Sequence, residues 1–116
     1  MKGQILSWTN AMLGLWLAIA PFAVGYSSIH GAVIEDALLG SGIAAFAFWR
    51  AVGGERPGMR AVSWIVATAG LWVAMAPVAL GYSMSGAALA NEVTVGLLIA
   101  VLGTARALAP VPARVV

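Results

Sequence analysis

The chain contains no cysteine, a single histidine and little charge, with Asp, Glu, Lys and Arg together making up 9% of its 116 residues. Without cysteine there is no disulfide, thiol nucleophile, iron–sulfur cluster or thiolate zinc site. One histidine excludes a haem held by two histidines of the same chain, so His30 reads as a turn residue rather than a metal ligand. Ser7, Ser27, Ser63 and Ser83 have no histidine and carboxylate partner set, and at span ends they read as caps. The glycines fall in apolar runs and turns instead of a phosphate-cradling loop. A net charge of +2, scattered along the chain, gives no basic patch for nucleic acid. From these absences we expect no enzyme activity, no metal and no cofactor.

Apolar residues are what the chain has in abundance, at 62%. Soluble domains average about 45–50% apolar and about 25% charged, and a short chain cannot hide this much apolar surface in one core. Lipid must therefore be its main solvent. Lys2 followed by an apolar run to Ala18-Ile19-Ala20 has the outline of a cleavable signal. Pro21 directly after those small residues, and the return of the same run at 65–80, argue instead for a retained span.

That return is part of a larger repeat. Ser7-Trp8, Gly14-Leu15-Trp16, Ala20-Pro21 and Gly25-Tyr26-Ser27 recur as Ser63-Trp64, Gly70-Leu71-Trp72, Ala76-Pro77 and Gly81-Tyr82-Ser83, always 56 positions later. Residues 7–50 overlay 63–106 without a gap, with about 18 of 44 pairs identical. Trp8 and Tyr26 lie about 27 Å apart at about 1.5 Å per helical residue, close to the hydrocarbon thickness of about 30 Å. Trp and Tyr prefer membrane interfaces, so this pair and the pair Trp64 and Tyr82 are expected to anchor two spans. Spans are expected at about 8–27, 32–50, 62–83 and 88–106.

Lys2, Arg50, Arg56, Arg60, Arg106 and Arg114 all lie near the termini or the central linker, whereas the turns at 27–33 and 83–88 carry no Lys or Arg. By the positive-inside rule both termini and the linker are cytoplasmic. The fold class is thus an all-α membrane protein of four transmembrane helices, made of two tandem helical hairpins of the same orientation. A pseudo-two-fold axis along the membrane normal relates them, unlike inverted-repeat transporters. The divisions are 1–50, a first two-helix repeat; 51–61, a Gly- and Pro-rich cytoplasmic linker; 62–106, the second repeat; and 107–116, a cytoplasmic tail with Pro110 and Pro112.

Each span carries two small residues four positions apart: Gly14 and Ala18, Gly40 and Ala44, Gly70 and Ala74, Gly96 and Ala100. Such faces let helix backbones approach closely in lipid, and they serve either packing within the chain or an interface with another subunit. Pro21 and Pro77, late in their spans, free the carbonyls of Leu17 and Val73, giving a fixed bend or a hinge. With these features the chain resembles the SPW-repeat family of small bacterial integral membrane proteins. That family's repeat is a two-helix hairpin whose first helix carries Gly-Leu-Trp-Leu and then Ser-Pro-Trp. Here Gly14-Leu15-Trp16-Leu17 and Gly70-Leu71-Trp72-Val73 keep the first motif, while Ala20-Pro21-Phe22 and Ala76-Pro77-Val78 keep only the proline of the second. The resemblance implies the fold and a location in the bacterial cytoplasmic (inner) membrane, and assigns no reaction.

Two sets of residues are candidate sites. Asp36 and Glu92 are repeat equivalents, each preceded by a polar residue, Glu35 and Asn91. At the starts of the second and fourth spans they are expected to be hydrated helix caps, the alternative being a polar, cation- or proton-binding site on the outer face. Trp16 and Trp72, halfway along their spans, either pack against small faces or border a lipid or quinone. The partners expected are membrane lipids and either a larger membrane complex or further copies of the chain, with no nucleic acid. The function expected is that of a non-catalytic accessory or assembly subunit, for instance of an electron-transport or photosynthetic complex. The alternative is a homo-oligomeric transporter or channel, for which the span centres offer only Ser41 and Thr68 as polar groups.

Overall fold

A computed structural model describes residues 2–53, 57–82 and 84–108. Arg56, Ser83, Pro110, Pro112 and Arg114 lie outside the described residues. Four α-helices follow one another, α1 (Lys2–Ala20), α2 (His30–Gly53), α3 (Met59–Ala79) and α4 (Gly86–Leu108), with a π-helical turn at Pro21–Gly25 and no strand among the described residues. All four are long and apolar enough to cross a membrane. The chain is a multi-pass membrane protein of two tandem hairpins. Helix extends to Gly53 and resumes at Met59, so residues 51–53 and 59–61 of the segment expected as a linker at 51–61 are helical.

The closest packing lies within each hairpin, α1 on α2 and α3 on α4, and the contacts of α2 with α3 and α1 with α4 complete a four-helix bundle. The small residues explain why the hairpins are so tight. A methyl group placed on Gly14 would sit 2.6 Å from the backbone nitrogen of Ala44, and one on Gly40 would sit 2.7 Å from that of Ala18. Gly70 meets Ala100, and Gly96 meets Ala74, in the same way. Of the two uses open to these faces, the structure commits all four to packing inside the chain. Leu17 and Val73, and Ile43 in both its copies (the second being Ile99), fill the centre of the bundle.

Both first helices of the hairpins end by one device. The Tyr26 N–H reaches back five residues to the Pro21 carbonyl at 2.8 Å, and the Tyr82 N–H reaches the Pro77 carbonyl at the same distance. Each proline thus opens a wide final turn. The glycine before each tyrosine has positive φ, 108° at Gly25 and 84° at Gly81, a conformation that costs glycine nothing. This reversal swings both tyrosines back into the bundle, where Tyr26 is only 2% exposed and Tyr82 only 7%. The expectation that they anchor at a membrane interface is therefore corrected: they are interior residues. Trp8 and Trp64, their supposed counterparts, do stand on the outer surface.

Candidate functional site

Helix α2 begins at His30 and α4 at Gly86, earlier than the sequence suggests. Asp36 and Glu92 consequently fall in the second turn, about 9 Å along the axis from the helix start, and both are fully buried. Their reading as hydrated caps is corrected by this burial. The cap at the start of α4 is instead Ser85, whose hydroxyl accepts the Ala88 N–H at 3.2 Å.

The buried carboxyl groups meet the tyrosines that the turns deliver. The Tyr26 hydroxyl donates to Asp36 Oδ2 at 2.7 Å, and the Tyr82 hydroxyl donates to Glu92 Oε1 at 2.6 Å. These two bonds are repeat equivalents. A phenol keeps its proton at neutral pH, so each tyrosine remains a donor. Residues 35 and 91 then cross from one repeat to the other. Asn91 Nδ2 donates to the Tyr26 hydroxyl at 2.9 Å, while Glu35 Oε1 lies 3.3 Å from the Tyr82 hydroxyl. Trp16 closes the network, its indole N–H donating to Asn91 Oδ1 at 2.9 Å. Because the indole can only donate, this bond fixes which end of the Asn91 amide faces Tyr26. One oxygen from each of Glu35, Asp36 and Glu92 lies within 4.8 Å of the other two.

The two repeats differ at this junction. An amide both donates and accepts, so Asn91 satisfies Trp16 and Tyr26 together. Glu35, its counterpart, retains an oxygen, Oε2, without a partner, as do Asp36 at Oδ1 and Glu92 at Oε2.

Trp16 is thus neither simply packed nor simply facing lipid. It is 37% exposed on the α1–α4 side and held by its polar edge. Trp72 lines a shallow apolar groove with Leu39, Trp64 and Thr68 between α2 and α3.

The opposite end of the bundle holds a second buried polar set. Arg50 and Arg106, which the sequence suggests only as topology markers, are buried with Ser7, Asn10 and Ser63. The Arg50 Nε donates to Ser63 Oγ at 2.7 Å, and Asn10 Nδ2 donates to the Ile99 carbonyl at 3.4 Å. Ser7 and Ser63 are therefore interior groups, not caps. Asn10 is a buried polar residue that the apolar run around it conceals, although Ser7 and Asn10 stand three apart on one helix face.

The SPW repeat domain matches residues 4–107. The chain belongs to the SPW repeat family. No curated protein and no solved structure matches it. The family's Ser-Pro-Trp triplet now has a physical meaning in its altered form here. Ala20 and Ala76 are fully buried beside the tyrosines, where a small side chain is required. Phe22 and Val78 face outward, where apolar bulk suffices. The prolines between them make the wide turn.

Proposed function

We infer that this SPW repeat protein acts by association, as a non-catalytic accessory or assembly subunit of a larger membrane complex in a bacterial inner membrane. Arg50, Arg60 and Arg106 lie toward one end of the bundle, which supports a cytoplasmic location for that end and for both termini. The observation that carries the reading is an asymmetry of the outer surface. The small-residue faces are used up inside, and α2 carries an exposed aromatic ridge, Phe46, Phe48 and Trp49, that α4 lacks. Trp8 meets Phe48 edge-on at 5.4 Å, and Phe46 lies 6.1 Å from Trp49. The equivalents of Phe46, Phe48 and Trp49 are Leu102, Thr104 and Ala105. Aromatic side chains are enriched at protein–protein interfaces, and a ridge on one repeat only suits a partner that differs from this chain.

The test copies repeat 2 onto repeat 1. Tagged chain, extracted in a mild detergent, is expected to bring down a larger membrane assembly in fixed stoichiometry. A Phe48→Thr, Trp49→Ala variant is expected to lose that assembly while eluting as the same folded bundle. Recovery of further copies of the chain alone would favour a homo-oligomeric transporter or channel. Retention of the assembly by the variant would contradict the role of the ridge.

A further inference from the structure

The geometry points to a binding site for one hard divalent cation of the calcium type, made by Glu35, Asp36 and Glu92 between the two repeats. This is independent of the accessory reading, since a bound ion can hold the bundle together whatever the bundle associates with.

The donor set is oxygen only. Glu35 and Asp36 come from α2 and Glu92 from α4, with exposures of 7%, 0% and 0%. Carboxylate oxygen ligands select calcium, magnesium or manganese over softer metals. Two oxygens on one calcium ion, each at about 2.3–2.6 Å, can be separated by at most about 4.6–5.2 Å. One oxygen from each carboxyl lies within 4.8 Å of the others, which meets that limit.

A second observation points the same way. Each of the three side chains has one oxygen near a tyrosine hydroxyl and one oxygen that accepts no hydrogen bond: Glu35 Oε2, Asp36 Oδ1 and Glu92 Oε2. Buried polar atoms are nearly always satisfied, and three orphans in one cluster call for a common partner. The tyrosines stand where outer-shell groups stand in metal sites, bonded to the carboxyl groups and orienting them.

A cation also answers the charge. Three carboxyl groups crowded in a low dielectric stay ionised only beside a countercharge and otherwise take up protons. The buried arginine of the same helix, Arg50, is about 21 Å away along the axis from Asp36. A divalent ion supplies the charge and joins α2 to α4 across the bundle. Lying about 9 Å from the start of either helix, it is reached from the tyrosine end.

The probe is terbium, a calcium analogue whose luminescence is excited through nearby aromatic rings. Full-length protein in detergent, stripped with chelator, is expected to bind one ion per chain, displaced by calcium, and to unfold at a higher temperature when calcium is present. Asp36→Asn and Glu92→Gln are expected to remove both effects. Tyr26→Phe keeps all three ligands and is expected to weaken binding about 10- to 100-fold, as loss of an outer-shell partner does. Glu35→Asn copies what repeat 2 already carries at Asn91, so it should fold, and it is expected to weaken binding by at least about tenfold, the low end of that range. Unchanged binding in Asp36→Asn and Glu92→Gln would overturn the site. So would the absence of saturable binding in a wild-type protein that gains stability on acidification, because protons would then be the countercharge.

Discussion

Replacing Gly96 by valine is expected to be the most damaging single change in the chain. The first added carbon would lie 2.5 Å from the Ala74 nitrogen and 2.6 Å from the Gly70 carbonyl oxygen. Both neighbours are backbone, so no side chain can rotate aside. The two helices must separate along their whole contact, and the small faces of Gly70 and Ala74 then lose their partner together. Overpacking in a core typically costs about 1–3 kcal/mol and occasionally more. We expect about 3 kcal/mol or above, because the α3–α4 contact is the most extensive in the bundle. Gly42→Ala is the matched control. A methyl group there meets nothing within 4 Å, and relief of glycine's backbone entropy should stabilise the helix by up to about 1 kcal/mol. Unfolding in detergent micelles titrated with dodecyl sulfate measures both. Equal behaviour of the two variants would contradict backbone-to-backbone packing.

Tyr82→Phe is expected to follow in severity. It removes one hydroxyl but strands two carboxyl groups, Glu92 at 2.6 Å and Glu35 at 3.3 Å. Leaving a buried acceptor unsatisfied costs about 1–3 kcal/mol. Hydrogen bonds between membrane helices reach only about 1.7 kcal/mol, because the dissociated helices also find partners. We therefore expect about 1–2 kcal/mol, measured without divalent cations. Tyr26→Phe should cost a similar amount, because Asp36 loses its donor and the Asn91 amide N–H loses its acceptor, while Asn91 still accepts from Trp16. Combining Tyr82→Phe with Glu35→Asn should recover part of the loss, since the second change removes one of the stranded carboxyls. Additive losses in the double variant would mean that the two repeats are not coupled at the junction.

Much of this architecture is legible in the residues. The 56-residue period places all four spans, and the glycine and alanine pairs mark the faces that meet within each hairpin. The junction is not legible, for two physical reasons. The preference of tyrosine for interfaces is a statement about depth and says nothing of direction, and the positive φ at Gly25 and Gly81 sends Tyr26 and Tyr82 inward. The signal was nevertheless present, as a glycine immediately before each tyrosine. The carboxyls differ from expectation more in direction than in depth. Starting α2 at His30 instead of about residue 32 carries Asp36 only about 3 Å further from the helix end, but it faces the bundle and is fully buried. Arg50 and Arg106 illustrate the same limit, because a cationic group near a span end satisfies a topology rule whether it points to water or inward toward Ser63.

Two hairpins of the same orientation are locked together at a shared tyrosine–carboxyl end. Because the chain has no cysteine of its own, single introduced cysteines report position directly. Ser28 and Met84 are exposed in the two turns, and Pro57 is exposed beyond α2. With a membrane-impermeant maleimide, Ser28→Cys and Met84→Cys are expected to label from the same side, and Pro57→Cys only from the other. Labelling of Ser28→Cys and Met84→Cys from opposite sides would make the repeats inverted, and the shared junction could not exist.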